Sequence, residues 1–474
     1  MENQVNDLHR YDRAFFIGAG GIGMANLERY LLRKGFLVSG YDRTPSDLTA
    51  SLEKEGVSLT FTDKSAEIPE FFRNRDKTLV VYTPAVPSDS EILSWFRING
   101  FTVVKRSELL GKITMAGKSI CVAGSHGKTT TSSMIANILR DSEVGCNAFL
   151  GGILRNTGSN LVMCEDTEWS VIEADEYDRS FHRLRPTIAV VTSVDPDHLD
   201  IYGDEEGYLE GFSHFTSLIK PGGLLLMHTG LKLKPRLQKE VRLMTYSGGA
   251  DGDWHAENIK FENGTITFTL IGPDIRIDNL EPGVPVEINI DNAVAAAAAA
   301  ITAGATPEDV RKGLSEFKGA KRRFEILRSG KNGTTALIDD YAHSPNEVAA
   351  SVRSVKRLYP DRRLTVIFQP HLYSRTRDFA SEFSKALSEA DEVIMPEIYP
   401  ARELPIPGVD SNLILKNVKC GFKAYCERKD LLNLIKKRNF EVLMTLGAAD
   451  IDILLPGIME ILEGKEKGED RLAQ

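Results

Sequence analysis

The sequence predicts an α/β protein of about three domains, and three observations support this prediction. Its 474 residues correspond to roughly three domains of about 150 residues each. Hydrophobic residues make up 42% of the chain and charged residues 26%, a composition that is ordinary for globular proteins and excludes a disordered chain or a fibre. Short apolar runs alternate with amphipathic stretches, which is typical of parallel sheets covered by helices.

Ten short apolar runs predict buried strands, because each has the length of a strand and many are followed by glycine-rich or polar turns. They are residues 14–17, 79–82, 119–123, 169–172, 188–192, 223–227, 336–338, 364–368, 392–395 and 442–445. Residues 254–277 instead alternate apolar and polar side chains, which predicts a small antiparallel insertion. Six consecutive alanines at 295–300 favour a closely packed helix over residues 291–304.

Charge and cysteine content exclude several classes of protein. The chain carries 58 Lys and Arg against 67 Asp and Glu, a net charge of −9, so we expect no nucleic-acid partner and no anionic membrane surface. The 5 cysteines match no zinc-binding spacing, and we expect reduced thiols. A polar N-terminus and the absence of any apolar run of about 18 residues predict a cytoplasmic protein without signal peptide or membrane span.

A glycine-rich turn follows the first predicted strand. Residues 18–23 read Gly-Ala-Gly-Gly-Ile-Gly, a helix is predicted over 24–35, and a second strand over 37–42 ends in Asp42. Glycines let the backbone approach a phosphate, the helix N-terminus stabilises its charge, and an acid about 20 residues further on can hold a ribose hydroxyl. The pattern predicts a Rossmann-like N-terminal domain with a dinucleotide-type site. A tight turn without a ligand is the alternative interpretation.

A second phosphate-binding pattern follows the strand at 119–123. Residues 124–130 read Gly-Ser-His-Gly-Lys-Thr-Thr, and they open a predicted helix over 131–139. The backbone N–H groups of such a loop cradle phosphates, Lys128 neutralises β- and γ-oxygens, and Thr129 reaches Mg²⁺. Val122 stands where the common pattern has its first glycine, so the loop is a shortened variant. The pattern predicts a P-loop mononucleotide-binding central domain.

Acidic side chains follow two further strands of the central domain. Glu173 opens a Glu-Ala-Asp-Glu segment after the strand at 169–172, and His198 lies in an Asp-Pro-Asp-His-Leu-Asp segment after the strand at 188–192. Carboxylate and imidazole groups beside a P-loop favour metal sites. The alternative for any single acid is a cap on a helix or turn.

These residues resemble those of the Mur ligases of peptidoglycan synthesis. The resemblance rests on residues 124–130, 173–181 and 195–200, and on two C-terminal segments. The latter read Asp-Asp-Tyr-Ala-His-Ser-Pro at 339–345 and Phe-Gln-Pro-His-Leu-Tyr-Ser-Arg-Thr at 368–376. With the N-terminal glycine-rich turn, these segments narrow the resemblance to members that join L-alanine to UDP-N-acetylmuramate.

The resemblance implies three domains with separate tasks. Residues 1–111 would bind the UDP-sugar, residues 112–324 would bind ATP, and residues 325–474, a Rossmann-like α/β domain, would bind the amino acid. ATP would phosphorylate the lactyl carboxylate of UDP-N-acetylmuramate, and the amine of L-alanine would attack the acyl phosphate. A recycling ligase that attaches a ready-made tripeptide is the close alternative. A nicotinamide dehydrogenase and a nucleotide-gated binding protein are alternatives from other classes.

The resemblance also assigns roles to individual residues. For the UDP-sugar they are Gly18, Gly20, Gly21, Ile22, Gly23, Asp42 and Thr83. For ATP they are Gly124, Ser125, His126, Gly127, Lys128, Thr129, Thr130, Asn289, Asn292 and Arg323. For Mg²⁺ they are Thr129, Glu173 and His198, and the catalytic residues are Lys128, Glu173 and His198. For the amino-acid side they are Asp340, Tyr341, His343, His371 and Arg375.

Some positions differ from the family pattern. Leu372 stands where an arginine is usual, Ile288 where a histidine is usual, and Ser344 replaces the second histidine of its segment. No lysine occurs between His198 and Ile219, so no carbamylated lysine is expected there. Packing roles remain the alternative for Tyr341 and His371, and a surface charge for Arg375. The implied partners are small molecules only, with the chain a monomer or weak homodimer.

Overall fold

Three β-sheets organise the chain. The structure is a computed structural model that describes residues 7–262, 265–330, 334–401 and 403–469. The sheets hold five, ten and six strands. Two compact units are present: the first comprises Met1–Ala256, Leu270–Ile277 and Asn292–Leu314, and the second comprises Glu257–Thr269, Asp278–Asp291 and Ser315–Gln474.

The first sheet has the strand order β3-β2-β1-β4-β5 and is parallel throughout. Its strands are β1 (Arg13–Ile17), β2 (Leu37–Tyr41), β3 (Ser58–Thr60), β4 (Thr78–Tyr82) and β5 (Thr102–Lys105). Its helices are α1 (Ile22–Arg33), α2 (Asp47–Lys54), α3 (Glu91–Ile98) and α4 (Arg106–Ala116). The order reverses at β1, and ligands bind at such switch points of open α/β sheets. The glycine-rich turn after β1 therefore lies at the expected place for a ligand.

The second sheet has the order β8-β7-β9-β6-β10-β11-β12-β13-β14-β15. Its strands are β6 (Lys118–Ala123), β7 (Asn147–Leu154), β8 (Ser159–Val162), β9 (Trp169–Glu173), β10 (Ile188–Val191), β11 (Leu224–His228), β12 (Arg242–Ser247), β13 (Trp254–Glu262), β14 (Thr265–Gly272) and β15 (Ile275–Leu280). The associated helices are α5 (Lys128–Arg140), α6 (Leu199–Tyr202), α7 (Glu205–Thr216), α8 (Ile288–Ala303) and α9 (Pro307–Ser315). β6 runs parallel to both of its neighbours, β9 and β10, so the loops after these three strands meet at one edge of the sheet.

The third sheet has the order β16-β17-β21-β18-β19-β20. Its strands are β16 (Glu325–Ser329), β17 (Ala336–Asp340), β18 (Leu364–Phe368), β19 (Glu392–Met395), β20 (Phe422–Tyr425) and β21 (Val442–Leu446). Its helices are α10 (Pro345–Leu358), α11 (Tyr373–Asp378), α12 (Ala380–Leu387), α13 (Asn412–Leu415), α14 (Leu431–Lys437) and α15 (Leu455–Glu469). β16 is antiparallel to β17, and the other pairs are parallel.

The predicted α/β class is confirmed, and each of the ten predicted strands is present within a residue or two. The alanine-rich helix is α8, in which all six consecutive alanines are fully buried. Two helices begin earlier than predicted, α1 at Ile22 and α5 at Lys128. In both, the glycine turn itself supplies the N-cap, so helical geometry starts directly after it. No helix in the described part of the chain is both long and apolar enough to cross a membrane.

Glu28 lies on α1 and is fully buried. Neither of its carboxylate oxygens has a hydrogen-bond partner among the described residues. Burial raises the pKa of the Glu28 carboxyl well above its usual value; Arg29 opposes this shift, and Asp42 and Glu55 add to it. Because this folded-state pKa exceeds the unfolded value of about 4.3, the folded protein holds an extra proton, and Glu28 destabilises the fold as the pH rises above that value.

A Glu28→Gln variant should therefore gain stability relative to the unmodified protein as the pH rises. The gap between the two should widen by up to about 1.4 kcal/mol per pH unit until the pH passes the folded-state pKa of Glu28. Thermal and urea unfolding between pH 4.5 and 8 would measure the gap. Glu53→Gln, at an exposed position of α2, is the control and should show a constant difference. The prediction would be contradicted if the free energy of unfolding of Glu28→Gln changed with pH in parallel with that of the unmodified protein.

Candidate active site

The loop after β6 has a backbone that only glycine accommodates at two positions. Gly124 has φ +148° and Gly127 has φ +81°, both in the region that favours glycine. A Cβ at Gly124 would collide with the hydroxyl of Thr192, and a Cβ at Gly127 would lie 2.9 Å from Asn292 Oδ1. Gly127 then caps α5. The local geometry of the predicted phosphate-binding loop is therefore present.

Side chains at the end of β10 hold this loop in place. The amide of His126 donates to Ser193 Oγ at 2.7 Å, and the Thr192 hydroxyl donates to the carbonyl of His126. Ser125 Oγ donates to the carbonyl of Asp195 at 2.6 Å and lies 3.0 Å from Tyr208 Oη. Thr192, Ser193 and Tyr208 were not assigned a role from the sequence, since their pairing with the loop depends on the fold, including the adjacency of β6 and β10.

Lys128 is paired with a buried glutamate. Its Nζ lies 2.9 Å from Glu176 Oε1 and 2.8 Å from Oε2, and it also donates to the carbonyl of Gly124. Only 3% of the Glu176 side chain is exposed. Burial raises the pKa of the Glu176 carboxyl, and the Lys128 ammonium opposes that shift. The hydroxyl of Tyr202 donates to the Glu176 carbonyl at 2.7 Å. The sequence pattern placed Glu176 in the acidic segment without giving it this task.

Glu173 and Thr129 form a pair of oxygen ligands beside the loop. The Thr129 hydroxyl donates to Glu173 Oε1 at 2.9 Å, and the amide of Gly151 donates to Oε2 at 2.9 Å. A hydroxyl and a carboxylate suit Mg²⁺, which proteins hold through one or two such ligands together with water and substrate phosphates. Among the described residues no group of three or more His, Cys, Asp or Glu side chains could hold a metal ion.

His198 contacts Asp197 and Tyr177. Its amide donates to Asp197 Oδ1 at 2.8 Å, its Nε2 lies 3.8 Å from Asp197 Oδ2, and its ring packs edge-on against Tyr177. Its φ of +51° is unusual for a residue other than glycine. In the described part of the chain no hydrogen bond joins His198 to Glu173 or Thr129. Its predicted metal role therefore remains a prediction.

Helix α8 brings one predicted asparagine to the loop. Asn292 Oδ1 accepts a hydrogen bond from Thr131 Oγ1 at 3.0 Å and lies against Gly127. Asn289 is buried and donates through Nδ2 to the carbonyl of Val284 at 3.1 Å. Thr130 is partly buried in the first turn of α5. These contacts make Asn292 part of the frame of the loop, while the predicted contacts of all three residues with ATP stay predictions.

The N-terminal glycine-rich turn is closed by Asp42. The amide of Gly20 donates to Asp42 Oδ2 at 2.7 Å, and the amide of Thr44 donates to Oδ1 at 3.0 Å. Gly18 has φ +87°, and a Cβ there would lie 2.5 Å from Thr83 Cγ2. The structure therefore gathers Asp42 and Thr83 at the turn, and their contacts with a UDP-sugar remain a prediction.

The start of α1 completes this turn. Gly21 caps the helix, and Ile22 is 60% exposed. At Gly23, a Cβ would lie 2.8 Å from Arg106 Nη1. Arg106 was not assigned from the sequence, because its closeness to Gly23, 83 positions earlier, depends on the tertiary fold.

Aromatic rings connect the predicted amino-acid residues. The rings of Tyr341 and His343 lie 5.4 Å apart, and those of His343 and His371 lie 6.3 Å apart. His371 stacks on Tyr399 at 5.9 Å, and the Arg323 guanidinium lies 4.9 Å from the centre of the Tyr341 ring. The loops after β17 and β18 supply Tyr341, His343 and His371, because β21 between them runs parallel to both. Tyr399 had no sequence signal.

Burial within this ring cluster favours a neutral imidazole at His343. Burial lowers the pKa of His343; Glu347 opposes this shift, and the positive charge of Arg375 adds to it. Burial also raises the pKa of Asp340, whose oxygens accept hydrogen bonds from the Ser351 hydroxyl and the amide of Phe324. Asp340 therefore joins the end of β17 to α10 and to the segment that precedes β16. Arg375 is close enough to His343 for its charge to matter.

The fold and the P-loop site together define an α/β enzyme of the class that uses a nucleoside triphosphate. Three family matches then cover most of the chain. Residues 14–118 match the Mur ligase family catalytic domain, residues 122–300 match the Mur ligase middle domain, and residues 322–443 match the Mur ligase glutamate ligase domain. The chain belongs to the Mur ligase family and has its three-domain fold.

Individual relatives match over nearly the full length. The UDP-N-acetylmuramate–L-alanine ligase of Parabacteroides distasonis is 52% identical, covering 96% of this chain and 98% of that protein. The ligase of the same name from Porphyromonas gingivalis is 48% identical, and the match covers 95% of this chain and 99% of that protein. The solved structure of UDP-N-acetylmuramate–alanine ligase from Thermotoga maritima matches with a TM-score of 0.73 and 25% sequence identity. The match covers 96% of this chain and 99% of that chain. The solved structure of a murein peptide ligase from Psychrobacter arcticus shares the fold, with a TM-score of 0.62 and 20% sequence identity. That match covers 95% of this chain and 98% of that chain.

Proposed function

We propose that this chain is an ATP-dependent ligase that joins L-alanine to the lactyl carboxylate of UDP-N-acetylmuramate in peptidoglycan precursor synthesis. The observation that carries the proposal is the full-length identity of about one half to ligases of that name. The Lys128, Thr129 and Glu173 arrangement supports the use of ATP. The proposed partners are these three small molecules, and the proposed place of action is the cytoplasm, with the chain a monomer or weak homodimer.

The chemistry requires activation of the carboxylate. A carboxylate does not react with an amine at neutral pH, because its oxygen is a poor leaving group. One lactyl carboxylate oxygen attacks the γ-phosphorus, the bond to the β,γ-bridging oxygen breaks, and ADP leaves. The amine of L-alanine then attacks the acyl carbon, the bond to the phosphate oxygen breaks, and phosphate leaves as the nitrogen loses a proton.

The charges of the loop serve the first of these steps. The carboxylate and the γ-phosphate are both anions, so their approach requires positive charge and fixed hydrogen-bond donors. The Lys128 ammonium, held by Glu176, is positioned at the loop to supply that charge. Thr129 and Glu173 would hold Mg²⁺, and His198 a second ion. When bound, Mg²⁺ neutralises phosphate charge.

The remaining assignments give one substrate to each of the three domains. We place the UDP-sugar domain at residues 1–111, the ATP domain at 112–324 and the amino-acid domain at 325–474, boundaries that the three family matches support. The turn after β1 would take the UDP group, in place of NAD. Full-length similarity to ligases named for UDP-N-acetylmuramate supports the UDP group, and the Gly20 amide bonded to Asp42 orders the turn at the N-terminus of α1.

The ring cluster of the third sheet is the proposed amino-acid site. A neutral His343 and the positive Arg375 leave this region with a cation suited to a carboxylate, because a guanidinium fork binds both carboxylate oxygens. Arg323, stacked on Tyr341, would reach ATP. With Leu372 at the position of a usual arginine, Arg375 alone would carry the carboxylate contact from this segment.

Phosphate release tests the proposal directly. We expect phosphate to form only when UDP-N-acetylmuramate, ATP, Mg²⁺ and L-alanine are all present, because each supplies a part of the acyl-transfer sequence. Omission of each component in turn is the control. If only a muropeptide tripeptide supported ADP formation, the recycling reaction would replace the proposal. NADH binding without ATP turnover would instead favour the dehydrogenase class.

A further inference from the structure

Helix α11 carries Arg375, the proposed partner of the amino-acid carboxylate, as its third residue. The helix has only 6 residues, and isolated helices shorter than about 12 residues are marginal in water. Its N-cap residue, Leu372, has φ +69° and makes no side-chain capping bond. The first amides of a helix have no partner within the helix itself. Another part of the chain must therefore hold the start of α11.

The side chain that holds it is Glu403, in the loop after β19. The amide of Ser374 donates to Glu403 Oε2 at 2.9 Å, and the Ser374 hydroxyl donates to Oε1. The amide of Tyr373 also bonds to this carboxylate. Burial acts to raise the pKa of the Glu403 carboxyl, but these hydrogen bonds outweigh it and hold the pKa below its usual value. Glu403 is therefore an ionised cap for α11, and its negative charge suits a helix N-terminus.

Backbone hydrogen bonds attach the same loop to the segment before α11. The amide of Leu372 donates to the carbonyl of Tyr399 at 3.0 Å, and the amide of Tyr399 donates to the carbonyl of Pro370 at 2.9 Å. The amide of Glu403 donates to the carbonyl of Pro400 at 2.9 Å. These bonds fix where the Glu403 carboxylate lies relative to the start of α11.

We propose that Glu403 is a positioning residue for the amino-acid carboxylate, and that it acts through α11 on Arg375. The inference rests on the proposed function and adds to it a residue that does not itself touch the substrate. Arg375 needs a fixed backbone because a guanidinium binds both oxygens of a carboxylate only when the two groups are aligned. Since Leu372 stands at the position of a usual arginine, the placement of Arg375 matters more in this chain.

Glu403→Gln tests the inference, with Glu382→Gln as the matched control. Glutamine keeps the shape of the side chain but loses the charge and one acceptor oxygen. Glu382 is exposed in the first turn of α12, so the control makes the same exchange at the start of the next helix. Phosphate release across an L-alanine titration would give kcat and KM. For Glu403→Gln we expect the KM for L-alanine to rise about tenfold, with kcat and the KM values for ATP and UDP-N-acetylmuramate unchanged.

L-Alaninamide separates a positioning role from a general structural one. It has the amine of L-alanine but no carboxylate for Arg375 to bind. We expect Glu403→Gln to lower kcat/KM for L-alanine and to leave kcat/KM for L-alaninamide unchanged. An equal loss with both amines would overturn the inference, because the defect would then not act at the carboxylate. Unchanged kinetics with L-alanine would overturn it as well.

Ser374→Ala removes the hydroxyl that donates to Glu403 and leaves the carboxylate in place. If Glu403 acts through α11, this variant should raise the KM for L-alanine by a smaller factor, about threefold. If only the Glu403 variant raised that KM, Glu403 would contact the ammonium of L-alanine directly and the inference would fail. Ser374→Ala also provides the measurement if Glu403→Gln does not fold. Unmodified protein that releases no phosphate with L-alanine would refute the proposed function and the inference together, whereas active protein with an unchanged Glu403 variant would refute the inference alone.

Discussion

Replacing Lys128 with alanine is expected to lower kcat/KM for phosphate release by about a thousandfold. The ammonium is the charge held at the phosphate-binding loop, and the carboxylate and γ-phosphate repel each other without it. Steady-state phosphate release with saturating UDP-N-acetylmuramate and L-alanine would measure the loss. Lys118→Ala, which removes an exposed lysine paired with Glu168 at the start of β6, is the control and should retain activity.

The same change should also destabilise the protein, for a separate reason. Removing Lys128 leaves Glu176 buried without its cation, and breaking one side of such a pair costs about 3–5 kcal/mol. The pKa of Glu176, already raised by burial, should rise further. The double variant Lys128→Ala/Glu176→Gln should therefore recover much of the stability in urea unfolding while staying inactive.

This pair of measurements separates folding from catalysis. A double variant that regained activity along with stability would show that Lys128 acts through the fold alone. Full phosphate release in the single variant would show that a group other than Lys128 supplies the positive charge for phosphoryl transfer. Stability restored without activity is the expected result.

Glu173→Gln is expected to lower the rate by about a hundredfold to a thousandfold and to raise the Mg²⁺ concentration needed for half-maximal activity. The amide oxygen can still accept from the Thr129 hydroxyl or from the Gly151 amide, so the fold should persist. Only the negative charge that suits a divalent cation is lost. Phosphate release measured across a Mg²⁺ titration would show both effects.

A matched control for this prediction lies in the loop before β9. Glu165 is exposed, and Glu165→Gln makes the same chemical change away from the P-loop. Its Mg²⁺ dependence should equal that of the unmodified protein. Equal Mg²⁺ dependence in Glu173→Gln would mean that Glu173 only orders Gly151 and Thr129, and that the metal is held elsewhere.

The sequence predicts most of the fold because the relevant signals are local. Buried strands are short apolar runs, and the turns after β1 and β6 require glycine whatever the rest of the chain does. Loop residues such as Lys128, Thr129 and Glu173 lie within or beside those local patterns. The resemblance to a family then added residues far apart in the chain, including Asn292 and His371.

Contacts between distant residues were not visible in the sequence, because any acid or aromatic ring could in principle meet the loop. Glu176 pairs with Lys128 across 48 positions, and only the adjacency of β9 and β6 brings them together. Tyr399 stacks on His371 for a similar reason, through the neighbouring ends of two chain segments.

By itself, the amino-acid sequence determined the α/β class, the two glycine-rich turns and the family to which the chain belongs, since these depend on local patterns and ordered motifs. The tertiary structure alone decided which side chains complete each turn. Asp42 closes the first turn, and Arg106 lies beside it. Lys128 has a buried carboxylate as its partner. Hydrogen bonds and charges act over a few ångströms of space, and only the packing of sheets and helices sets those distances.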